Sequence, residues 1–144
     1  MSSPSAPTAL RRTLTYAGAR AALDAAVAHA ETIGVPVNVC VADHTGDALA
    51  TARMDGAALL SYSIAVDKAY TVAAFQGVPT HDWFDLIKGE PALREGIVHR
   101  DRLVVFGGGV PVRDGREVVG AVGVSGGSAE QDREIAEAGA LAVS

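Results

Sequence analysis

The placement of glycine between Leu103 and Asp132 constrains this chain more than any other feature. The run reads Leu103-Val-Val-Phe-Gly-Gly-Gly-Val-Pro-Val-Arg-Asp-Gly-Arg-Glu-Val-Val-Gly-Ala-Val-Gly-Val-Ser-Gly-Gly-Ser-Ala-Glu-Gln-Asp132. It predicts a glycine-kinked strand, a tight turn at Asp114-Gly115, a long buried strand, and a Gly-Gly-Ser lead into a helix. Two points lack side chains, at Gly107 to Gly109 and at Gly126-Gly127. Something has to approach the backbone closely at each.

The rest of the chain supplies elements around that run. Apolar residues at helical spacing (Ala19, Leu23, Ala26, Val27, Ala30, Ile33) predict a helix over 14–33, capped by Thr15 and ended by Gly34. A hairpin of strands over 35–42 and 48–54 follows, turning at Asp43-His44-Thr45-Gly46-Asp47. A second helix is predicted over 58–75, with Leu60, Ile64, Val72 and Phe75 toward the core and Ser61 and Lys68 close to that side. Thr80 is placed to cap a short helix over 81–88, and a further turn spans 92–96. Strands are expected over 103–106, 110–113 and 117–125. Ser128 with Gln131 forms a capping box for the last helix, which buries Ile135 and Leu141. The order gives an α+β domain: an antiparallel sheet of about five strands with helices packed on its faces.

At 144 residues the chain has the size of one domain, expected over 14–144 behind a loose tail at 1–13. With 49% hydrophobic residues it can bury a core. The net charge of -5 and the lack of a basic stripe argue against nucleic acid as a partner. No segment is long and apolar enough to span a bilayer. Arg11-Arg12 is not followed by the apolar stretch an export signal needs, so the cytoplasm is the expected location. The single cysteine, Cys40, rules out an intrachain disulfide or a multi-cysteine zinc site and reads as a small core residue.

Four motifs together carry a family resemblance. They are Arg53-Met-Asp-Gly-Ala57, Asp67-Lys-Ala-Tyr-Thr71, Phe106-Gly-Gly-Gly-Val-Pro111, and the run from Gly120 to Asp132. In this order they resemble the GlcG/HbpS-like family, which is similar to the C-terminal domain of PduO-type cobalamin adenosyltransferases. The resemblance implies a profilin-like α+β domain that assembles into symmetric homo-oligomers, octamers in some members. It also implies haem binding in some members. The segment 80–102, with Trp83-Phe84 and His99, departs from the blander connection of many relatives and points to a specialised pocket.

Lys68 is the sharpest candidate. Set near an apolar side, it either pairs with a carboxylate or phosphate or moves a proton, or it snorkels to pair with Asp67 or Asp55. Asp55 reads as a helix cap or as an acid or base. His99, ahead of the glycine strand, reads as a haem or metal ligand, the latter with His81, or as a solvated loop residue. His44 with Asp43 and Asp47 reads as turn chemistry. Trp83 either walls a flat ligand or anchors its short helix. Gly123-Val-Ser-Gly-Gly127 meets a nucleophile-elbow pattern, yet no triad partners can be named for Ser125.

The reading these residues support is a small-molecule-binding domain for haem or another flat acidic ligand. Met54, Lys68, Trp83, His99 and Gly107, Gly108 and Gly109 would contact the ligand, with no metal site and no other cofactor. Two alternatives stay open. One is a cofactor-free lyase or isomerase acting on a small carboxylic or keto acid through Lys68, Asp55 and His99. The other is an accessory protein without a ligand.

Overall fold

The computed structural model of the protein describes residues 5–144. Residues 1–4 of the expected tail lie outside them. From Arg11 onward the tail is tied down: the Arg11 guanidinium donates to the Val118 carbonyl at 2.8 Å, and Arg12 pairs with Asp114 at 2.7 Å.

The elements are α1 (Tyr16–Ile33), β1 (Asn38–Asp43), β2 (Ala48–Arg53), α2 (Leu60–Ala74), a single 3-10 turn (Thr80–Asp82), α3 (Trp83–Ile87), α4 (Pro91–Ile97), β3 (Gly109–Asp114), β4 (Glu117–Ser125) and α5 (Ala129–Leu141). The fold is α+β as expected. The sheet has four strands, in the order β2-β1-β4-β3, with every pair antiparallel.

The missing fifth strand has a tertiary cause. Residues 103–106 find a side-chain partner instead of a strand. The Thr71 hydroxyl accepts from the Val104 amide at 3.0 Å and donates to the Arg102 carbonyl at 2.9 Å. This segment is thereby bound to α2.

The two sheet faces differ in residue size, and that difference places the helices. Val37, Val39, Val41, Val122 and Val124 join the alanines of α1 and Ile135 and Ala136 of α5 in the larger core. On the other face, Cys40, Ala42 and Ala121 meet Ala69 and Val72 of α2. Small residues let α2 approach the sheet closely. A Cβ on Gly123 would collide with the Ala65 carbonyl and lie 2.6 Å from the Ala69 nitrogen.

This close approach corrects the sequence reading of α2. Leu60 and Phe75 are exposed, and the buried residues are Ala65, Lys68, Ala69, Thr71 and Val72. The closest approach, at Gly123, is made by Ala65 and Ala69, and Lys68, Thr71 and Val72 complete the inward face. Leu141 of α5 is likewise exposed, whereas Ile135 is buried.

The caps follow the sequence more closely. The Thr15 hydroxyl accepts from the Gly18 amide, and Ser128 and Gln131 form a reciprocal capping box. Thr80 does not cap; its hydroxyl accepts from the Gly109 amide at 2.8 Å and pins the 3-10 turn to β3. Asp55 does not cap α2 either, whose N-cap residue is Leu59.

Gly123→Val is expected to lower unfolding stability by about 1–3 kcal/mol, because the added volume has no room to relax into. A urea titration of the variant against the parent reads this directly.

Candidate functional site

α2 runs across β4, and its inward face carries one charged residue. The Lys68 side chain is 1% exposed and that of Asp132 4%. The Lys68 ammonium donates to the Val124 carbonyl at 2.8 Å and to Asp132 Oδ2 at 3.1 Å. Asp132 stands in the first turn of α5, and its other oxygen accepts from the Gly127 amide at 2.8 Å. One buried ion pair therefore joins α2, β4 and the N-terminus of α5.

The triple glycine lies against this pair. A Cβ on Gly108 would sit 2.5 Å from Lys68 Nζ, and Gly108 has a φ of 129°, which side chains disfavour. A Cβ on Gly109 would lie 2.8 Å from the Lys68 carbonyl and from the Thr80 methyl. Gly107 packs against the Ala129 carbonyl and His81 Cβ. The ring of Phe106 covers the ammonium, with its centroid 5.1 Å from Nζ.

Desolvation dominates the electrostatics. Burial pushes the Lys68 ammonium below the ordinary lysine value, and attraction to Asp132 opposes that shift. Burial pushes the Asp132 carboxyl up, against Lys68 and the amides of Gly127 and Gly126. Both charged forms are less favourable here than in water, so the pair holds position without adding net stability.

The other sequence candidates are distributed around the molecule. Asp67, offered as a partner for Lys68, bonds Arg102 instead at 3.0 Å, and the guanidinium of Arg102 lies 3.9 Å from the Tyr70 ring centroid. Asp55 is exposed; with Met54 it lines a groove of about 440 Å³ beside Val27, Glu31, Ala52 and Arg53. Met54 packs on the α1–α5 core, across the sheet from α2. Trp83 is buried at 3% exposure, its ring 4.8 Å from that of Phe75, so it anchors α3. His99 is exposed in the turn after α4. The structure thus gathers Lys68 with Gly107, Gly108 and Gly109, while Met54, Asp55 and His99 stand elsewhere.

Two residues of the gathered cluster escaped the sequence reading. Asp132 was hidden behind the capping box, four positions after Ser128. His81 reads from sequence only as a metal ligand beside His99; its Nδ1 is buried without a hydrogen-bond partner, and its Cβ lies next to Gly107. Asp43 acts in its turn, accepting from Thr45 and Asp47. Among the described residues, no three His, Cys, Asp or Glu side chains gather to hold a metal ion. Burial pushes the Cys40 thiol up to about 12, which fits a core residue. No helix of the described residues is long and apolar enough to cross a membrane.

Comparison with known proteins agrees with this architecture. The family model described as "Haem degrading protein HbpS-like" matches residues 14–141. An uncharacterised 15.0 kDa protein from the dhaT-dhaS intergenic region of Citrobacter freundii is 43% identical over 127 residues, covering 87% of this chain and 88% of that protein. The corrinoid adenosyltransferase PduO of Salmonella typhimurium is 39% identical over 121 residues, which is 83% of this chain but 35% of PduO. Among solved structures, Klebsiella pneumoniae ORFY superposes with a TM-score of 0.88 at 31% identity, covering 98% of this chain and 97% of that one. PduOC in complex with haem superposes with a TM-score of 0.81 at 33% identity, covering 90% and 94%.

Lys68→Met or Asp132→Leu alone is expected to cost about 3–5 kcal/mol, since each leaves a buried charge unpaired. The double variant is expected to recover most of that loss. A double-mutant cycle by urea unfolding checks both statements.

Proposed function

The chain belongs to the HbpS-like family, and from that premise we propose that it is a haem-binding domain working as a cytoplasmic homo-oligomer. The haem complex of the similar PduOC supports the ligand class. The observation that carries the proposal is the excursion between Gly77 and Gly107. Its helix α4 buries no residue, and Phe84, Leu86, Leu93 and Val98 are all exposed along it.

These residues fit a flat apolar group with acidic arms. The exposed aliphatic and aromatic side chains provide the apolar surface. Arg94, whose guanidinium lies 5.9 Å from the Phe84 ring centroid, and exposed Arg100 offer cations for carboxylate arms. The His99 ring is exposed, has no hydrogen-bond or ion-pair partner among the described residues, and would supply a nitrogen to the iron. When bound, haem would bring iron-centred chemistry; the protein's part is to present the imidazole, cover the ring and neutralise its arms. An excursion so exposed in one copy would gain its second wall from another copy of the chain.

Titration of the purified protein with haemin is expected to give a Soret band that saturates. His99→Ala is expected to lose or shift that band with the fold intact by circular dichroism. A protein that leaves the haemin spectrum unchanged would overturn the proposal.

A further inference from the structure

The two hydrogen bonds of Lys68 leave one of its protons without an acceptor. An ammonium carries three donors; one goes to Val124 and one to Asp132. The third side of Nζ lies against the Phe106 ring and the bare backbone of Gly108. Phe106 is 51% exposed and sits in a bend outside the sheet. Rotation of one exposed side chain, a fast motion, would therefore open the ammonium to a small molecule. No side chain at Gly108 blocks the way.

Charge selects what can enter. Lys68 and Asp132 together are neutral, so an incoming carboxylate would be attracted by one and repelled by the other. A neutral carbonyl oxygen accepts the third N–H without that conflict. The same neutrality prepares a reaction. In a dry site, transfer of a proton from Nζ to Asp132 Oδ2 across their 3.1 Å contact removes both charges at once.

We propose that Lys68 forms an imine with a small aldehyde admitted beneath Phe106. Nζ gives a proton to Asp132, and its lone pair attacks the aldehyde carbon. The C–N bond forms as the carbonyl π electrons move to oxygen. A proton passes from the new N–H to that oxygen, giving the carbinolamine. Asp132 then returns its proton to the hydroxyl, the C–O bond breaks, water leaves and the nitrogen lone pair closes the C=N bond. The product is a protonated imine paired with the Asp132 carboxylate, so one aldehyde is consumed and one water released without oxidant or reductant.

The chain itself contains the control, because its two lysines are Lys68 and Lys88. The Lys88 side chain is 54% exposed. The folded protein is incubated near neutral pH with acetaldehyde and sodium cyanoborohydride, which fixes an imine as N-ethyl-lysine, and peptide mass spectrometry reads each site. Lys68 is expected to be labelled faster than Lys88 despite its burial, and faster still in Phe106→Ala. Excess acetate is expected to leave the labelling unchanged. Label confined to Lys88 and the N-terminal amine, with Lys68 reacting only in urea, would overturn the proposal. Suppression by acetate would overturn the choice of a carbonyl ligand.

Discussion

A buried lysine held between a carboxylate and a strand carbonyl is the contact on which this architecture turns. Lys68 reaches from α2 to the end of β4 and to the first turn of α5, contacts 56 and 64 residues away in sequence. Asp132 passes the constraint on to the loop before α5 through the Gly127 amide. Desolvation cancels much of the attraction, so the pair contributes position more than energy. Loss of one partner therefore costs far more than loss of both.

The position of the pair depends on small residues. Gly123 and Ala121 let α2 settle close to β4, which brings the Lys68 backbone against Gly109. Gly108 then leaves room for the ammonium where any side chain would stand. Phe106, two residues before Gly108, lies over the charge as a cover. The glycine run is thus a packing device at one end and the floor of a charged hollow at the other. The excursion from Gly77 to Gly107 is fastened by Thr80, Trp83 and the Thr71–Arg102 contacts and leaves α4 facing outward. The protein therefore carries two chemically distinct regions: an interior polar pair and an exposed apolar surface with a free imidazole.

Much of the fold was legible in the sequence where signals are local. The Thr15 cap, the Ser128–Gln131 box, the turn at Gly115 and the span of β4 depend on neighbouring residues, and each lies where the sequence places it. The face of α2 was not legible, because apolar side chains predict the buried side only when the opposing surface has room for them. The strand expected over 103–106 failed for a related reason: its hydrogen bonds go to Thr71, more than thirty residues earlier. Lys68 was recognisable as unusual from its spacing, but its partner was not. The carboxylates near it in sequence, Asp67 and Asp55, are turned elsewhere, and Asp132 arrives through sheet topology. The expectation that His99 shares the hollow of Lys68 rested on its place ahead of the glycine strand; the turn after α4 directs it to the surface.

The most direct test follows the ionisation of Lys68 itself. With two lysines in the chain, the Cε signals can be assigned and titrated by carbon NMR. Lys68 is expected to titrate below the ordinary lysine value of about 10.4, and lower again in Asp132→Asn, where burial acts without the opposing carboxylate. A Lys68 signal that titrates at the ordinary value in both proteins would mean that the ammonium is in water, and the account of a sealed, partnered charge would be contradicted.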